Sequence, residues 1–207
     1  MDIVAGIGIY YVINQPLKRE NNVKMRNNYL SSIHVIVCLL TGFESYFSGK
    51  SYNYIIRGNT CGFFVNEIIF FMYGNFSSSD ITLIIHHLIM FGLFYTMSEN
   101  SPIISLLIMG EMSNLPGNLI YHRLQLKKEY AKSHKPYNPL FEKELQYFQC
   151  ILYSFLRIVV APFLIYQEFT SEESIPMFFK AMVILIYIMG VVWSTKLYKK
   201  CKMMYDA

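Results

Sequence analysis

Five ionisable side chains are singled out inside stretches that are otherwise apolar enough to lie in lipid: Glu67, the adjacent pair His86 and His87, Glu111 and Arg157. A charge at membrane depth is expensive, so such a residue faces a bundle interior, a partner or a water-filled cavity. Each is therefore a candidate for function, unless it pairs with another simply to hold the helices together. The histidine pair is the sharpest signal. Neighbours on a helix point about 100° apart, so the two imidazoles edge a broad polar sector rather than a narrow seam. A neutral imidazole can accept a proton from a nucleophilic hydroxyl or amine and return it to a leaving group, as acyl transfer requires. Metal ligation is not expected, because two adjacent histidines do not converge on one ion, whereas spacings of three or four do. Asp80 lies seven residues before His87 and so on nearly the same face, where it could position a substrate or head group. The simpler reading is that Ser77, Ser78, Ser79 and Asp80 supply capping side chains and a favourable charge at a helix N-terminus.

Glu111, Asn114 and Asn118 follow at spacings of three, four and seven, forming one polar stripe along a helix. Pro116 and Gly117 interrupt it, which predicts a kink and a freed carbonyl of the kind found at protein-lined cavities. Glu111 has two possible partners, a histidine or Arg157, and the sequence leaves both open. Glu67, Asp80, Asn114, Asn118 and Arg157 are candidate substrate contacts around His86, His87 and Glu111. The chain has no nucleophile elbow, phosphate-binding glycine loop or zinc-protease motif.

The elements that must position these residues are helices in a membrane. Of 207 residues, 54% are hydrophobic and 15% charged, with a mean hydropathy of +0.31, against about 25% charged in average soluble chains. A helix needs about 20 apolar residues to span. Six blocks meet or approach that: Tyr29 to Phe47, Ile55 to Phe76, Ile81 to Met97, Pro102 to Tyr121, Tyr147 to Tyr166 and Pro176 to Tyr198. A shorter block, Met1 to Ile13, makes the count six or seven by either crossing or lying in the interface. The expected fold is an all-α integral membrane bundle of six to seven transmembrane helices: a short N-terminal segment and basic stretch (1–28), the bundle (29–198) and a basic tail (199–207).

Fourteen of the 18 Lys and Arg residues fall in the stretch after the Met1 to Ile13 block, the connection after Tyr121 and the C-terminal end from Lys196. With six blocks crossing in order, all three regions share one side, and the connection with Glu168, Glu172 and Glu173 lies on the other. The positive-inside rule makes the basic side, including the C-terminus, cytoplasmic. The residues from His122 to Leu145 are expected to form a cytoplasmic loop, and the sequon at Asn75 to be unmodified on that same side. Cations clustered between apolar blocks orient a membrane protein, so no nucleic-acid partner is expected. Cys38, Cys61, Cys150 and Cys201 are far apart and read as free thiols.

Four stretches together resemble the TLC domain family, multispanning proteins of the endoplasmic reticulum that include ceramide synthases and TRAM proteins. Gly62-Phe63-Phe64-Val65-Asn66-Glu67 is similar to the family's Gly-Tyr-Phe followed by an acidic residue, and Asp80 to His87 resembles its acidic residue and paired histidines. Glu111 to Asn118 resembles its Glu-x-Ser-Thr-Pro stretch ending in Asn, with Pro116 one place late, and Phe155-Leu156-Arg157 its Phe-x-Arg. The further His-Asp and Asp residues that mark ceramide synthases are missing, so the likeness is closer to the small TLC-domain proteins. The resemblance implies residence in the endoplasmic reticulum membrane, membrane lipids as partners, and His86 and His87 as the catalytic pair of an acyltransferase. Acyl-CoA or a phospholipid would be the acyl donor, with no bound cofactor; the alternative is a non-catalytic lipid-binding, membrane-homeostasis or trafficking protein.

Overall fold

Apolar side chains with no alternation leave the backbone one economical way to pair its own N–H and C=O groups, and every element among the described residues is a helix. The computed structural model describes residues 3–17, 23–49, 51, 53–72, 78–96, 103–134, 136, 141–170 and 176–205. The helices are α1 (Ile3–Leu17), α2 (Val23–Ser48), α3 (Asn53–Met72), α4 (Ser78–Thr96), α5 (Ile103–Lys132), α6 (Glu142–Ser154), a π-helical segment (Phe155–Val160), α7 (Ala161–Thr170) and α8 (Met177–Tyr205). Each of the six apolar blocks has become one helical stretch, with α6, the π segment and α7 forming a single one. The Ile55 to Phe76 block runs past the described part of α3.

Three stretches are long and apolar enough to cross a membrane: Met25–Ser48, Glu142–Thr170 and Met177–Met204. Leu83–Tyr95 forms a shorter apolar helix. In α3 and α5 the apolar character is diluted by the polar residues that face inward, Asn59, Thr60 and Glu67 on one and Glu111, Ser113 and Asn114 on the other.

Two sequence expectations are corrected, and one helix runs beyond its apolar block. The supposed loop from His122 is helical to Lys132, because Leu, Gln, Lys, Glu and Ala follow one another there without Gly or Pro and all favour helix. The tail after Tyr198 continues α8 to Tyr205. Glu168, assigned to an acidic connection, lies in α7 with no exposed surface. Glu172, Glu173 and the sequon at Asn75 lie outside the described residues. All four cysteines are buried and free.

Chain direction alternates, and cross-contacts tie the ends together. Asn28 Nδ2 near the start of α2 donates to the Asn118 carbonyl at 3.2 Å, and the Tyr29 and His122 rings sit 5.5 Å apart. Lys127 Nζ reaches Glu142 Oε2 at 3.5 Å, and Cys201 Sγ reaches the Gln146 carbonyl at 3.6 Å. The start of α2, the ends of α5 and α8, and the start of α6 therefore gather at one end of the bundle, bringing the basic regions together. Toward the other end the packing is apolar, with Phe94, Leu93, Ile104, Leu107 and Val183 in the core.

α1 docks on α3 through glycine. A Cβ at Gly6 would run into the Gly58 carbonyl, and one at Gly62 into the backbone of Gly6 and Ile7. Small residues spaced four apart let two backbones approach this closely, a device suited to lipid, where no hydrophobic force drives helices together. The contact seats Tyr10 of α1 in the core, fully buried against Phe63.

Candidate functional site

A chamber of about 250 Å³ lies between α2, α3, α4, α5, the α6–π stretch and α8. Glu67, His86, His87, Glu111 and Arg157 all line it, together with Asn114 and Asn118. The seven polar residues singled out from spacing thus converge, although they come from four separate stretches of sequence. Asp80 belongs by its backbone to the first turn of α4, and its side chain lies outside the described residues.

Of the adjacent pair, His87 is the one that faces a carboxylate. Its ring stacks on Phe64, with centroids 4.8 Å apart and planes at 21°, and its Nδ1 is 2.8 Å from Glu67 Oε2. That contact is close but off the line of a well-aligned hydrogen bond, since neither atom has an aligned partner. Glu67 is held from its other oxygen, where Asn27 Nδ2 donates to Oε1 at 2.7 Å. The series Asn27, Glu67, His87 orients the imidazole so that Nδ1 faces the carboxylate. Nε2 is then the nitrogen available for proton transfer, the logic of a carboxylate-supported histidine base.

His86 points to a different neighbour. Its ring lies 6.1 Å from the single tryptophan, Trp193, in an edge-on arrangement, and 5.5 Å from the His87 ring. Its buried Nδ1 has no hydrogen-bond partner.

The sequence left Glu111 with a choice of partners, and the fold gives it a histidine, though neither of the paired ones. Glu111 Oε1 lies 3.6 Å from Nε2 of His34 on α2, and Asn114 Nδ2 approaches Oε2 at 3.5 Å. Behind His34 runs a buried series: the Tyr10 hydroxyl donates to Asn59 Oδ1 at 2.7 Å, and Asn59 Nδ2 donates to His34 Nδ1 at 2.9 Å. With Nδ1 accepting, Nε2 is the protonated nitrogen that faces Glu111. The His34 ring is also stacked on Phe63, at 4.3 Å and 7°. Phe63 and Phe64 therefore act as adjacent platforms, one for each carboxylate-facing imidazole.

Arg157 sits within the π segment, an insertion that re-aims side chains and recurs at functional sites. Its side chain passes between Gly110 of α5 and Gly190 of α8, where a Cβ would come within 3.2 Å of the guanidinium and 3.3 Å of Cδ respectively. It lies over the Tyr153 ring at 5.3 Å and donates to the Gly110 carbonyl at 3.4 Å, while its buried Nε has no partner. α5 is continuous through Pro116, and the adjacent Gly117 leaves space for the Gln149 side chain. Asn118 Nδ2 donates to Ser31 Oγ at 3.1 Å and closes the chamber toward α2.

His34, Asn59, Tyr10, Asn27 and Trp193 were not anticipated. His34 carried a usable signal, since it lies inside the Tyr29 to Phe47 block and satisfies the rule that selected the other ionisables. The Tyr10 contact depends on the glycine seam and has no signature at the level of spacing. Replacing Asn59 by Leu should lower stability by about 1–3 kcal/mol, because it strands the Tyr10 hydroxyl and His34 Nδ1 without partners in the core. Thermal unfolding in detergent micelles measures this, and an unchanged midpoint would remove Asn59 from the buried series.

No three or more His, Cys, Asp or Glu side chains among the described residues are grouped to hold a metal ion. Chemically the chamber offers a carboxylate-backed imidazole, a second imidazole with a free nitrogen, and a guanidinium in one enclosure. Comparison of the chain with family models, characterised proteins and solved structures finds no match to any of them.

Proposed function

We propose that this chain is a multi-pass membrane protein of lipid metabolism that transfers an acyl group to a lipid acceptor. The observation that carries the reading is the meeting of Glu67, His86, His87, Glu111 and Arg157 in one chamber, with His87 backed by Glu67 at 2.8 Å. His87 Nε2 takes the proton from an acceptor hydroxyl or amine as that atom bonds to the acyl carbonyl carbon. The bond from that carbon to the leaving group then breaks, and the proton passes from His87 to the departing thiolate or alkoxide. His86 lies beside the reacting carbonyl and can donate to its oxygen. The donor is acyl-CoA or a phospholipid. In this reading six or seven helices cross the membrane, and the gathered basic ends, with the C-terminus, face the cytoplasm. The TLC-like stretches support membership of that family and residence in the endoplasmic reticulum.

A non-catalytic lipid-binding or trafficking role is the second reading. It is favoured by the fact that both chamber carboxylates, Glu67 and Glu111, are already taken by imidazoles, as they would be if they served packing. Lipidomics of cells expressing the wild-type chain or the His86→Ala/His87→Ala variant, matched for abundance, against an empty control, separates the two. Acyl transfer predicts a lipid class changed by wild type alone; an equal change with both chains rejects it in favour of binding.

A further inference from the structure

The ionisable groups lining the chamber are unevenly partnered. Glu67 faces His87 and Glu111 faces His34, but Arg157 is in no ion pair among the described residues. A half-buried guanidinium whose described contacts are one backbone carbonyl and one ring keeps charged donors for an oxyanion from outside the chain. Its position is also built rather than incidental, since glycines on two neighbouring helices leave the slot through which it reaches the chamber.

A second cavity says what is attached to that anion. A pit of about 60 Å³ adjoins the chamber and shares His86, Glu111, Asn114 and Arg157 with it. Its remaining wall is almost wholly apolar, with Leu93, Leu106, Leu107, Ile165, Val183 and Ile186. Arg157 stands at the junction of the polar and the apolar space. We infer that the site takes a single amphiphile whose acidic head, a phosphate or a carboxylate, lies on the Arg157 guanidinium and whose hydrocarbon chain starts into the pit between α4, α5, α7 and α8. A guanidinium fork suits either oxyanion, forming two parallel charged hydrogen bonds. This inference rests on the lipid reading above but needs no turnover.

The test is direct binding to the purified full-length chain in nanodiscs of neutral lipid, with three probes of equal chain length: a monoacylglycerol phosphate, the free fatty acid and an uncharged monoacylglycerol. At least one acidic probe should bind tenfold or more tighter than the uncharged one, and the order of the two acidic probes tells a phosphate head from a carboxylate. Equal affinity of all three for the wild-type chain overturns the inference without any variant. Arg157→Gln should remove the preference and Arg157→Lys restore part of it; a preference undiminished in folded Arg157→Gln also overturns it. His87→Ala should bind within about threefold of wild type, so loss of lipid turnover with retained binding bears on catalysis alone. Ile186→Trp, which fills the pit, should weaken all three probes, and unchanged affinity would remove the pit from the site.

Discussion

A single methyl group at Gly6 should destabilise the bundle by about 3 kcal/mol, at the upper end of the ordinary cost of overpacking, while the same methyl at Gly8 should not destabilise it. The two positions are a turn-fraction apart on α1 and identical in composition, so helix propensity cancels between them. It favours Ala over Gly by up to about 1 kcal/mol at either site. What differs is the neighbour. A Cβ on Gly6 meets the Gly58 carbonyl, which is backbone and cannot rotate away, whereas a Cβ on Gly8 meets nothing within 4 Å. To accept Gly6→Ala, α1 must lift from α3, which withdraws Tyr10 from Asn59 and loosens the support behind His34. Thermal unfolding of the two variants in the same detergent reads the difference, and equal midpoints would mean that the seam does not hold α1. Gly62→Ala, which faces Gly6 from the other side, should behave like Gly6→Ala.

The second large effect concerns the pair of Glu67 and His87. If His87 is the base, His87→Ala should lower turnover by about 10² to 10⁴-fold, the usual worth of a positioned proton acceptor. Glu67→Ala should lower it by about 10²-fold, by releasing the ring from the orientation that the carboxylate and Asn27 impose. The informative variant is the double one. Residues that act as a unit lose function once, so Glu67→Ala/His87→Ala should be no slower than His87→Ala alone. A purely structural pair behaves differently: each single change leaves a buried group unmatched, and the double change recovers part of the lost stability. Turnover and unfolding midpoint measured on the same three variants distinguish the two. Additive losses of turnover would break the proposed unit.

Much of the architecture was legible before any coordinates. Apolar blocks near the length of a span dictated helices, and each became one, because helix length and polarity are local properties that a run of residues carries with it. The polar stripe of Glu111, Asn114 and Asn118 was legible for the same reason, since spacings of three, four and seven on one helix define a face. Helix ends were less legible. The stretch after Tyr121 reads as solvated because it is charged, yet charge does not break a helix, and α5 runs on to Lys132.

Pairings between helices belong to tertiary structure alone. Spacing marks Glu111 and the histidine pair as polar at membrane depth, but which imidazole meets which carboxylate depends on the rotation and depth of whole helices. Close approach through Gly6, Gly58 and Gly62, the stacking of Phe63 and Phe64, and the π insertion at Arg157 decide it. Hence Glu67, read as a substrate contact, stands behind His87, while Glu111, left open between a histidine and Arg157, faces His34. The sequence by itself determined that polar groups would be carried on membrane-length helices and which face of each would be polar, because those are properties of neighbours along one chain. Only the packed bundle decided that they share one chamber, that Glu67 and Glu111 each face an imidazole and that Arg157 is in no ion pair among the described residues, because those are distances between residues up to 90 positions apart.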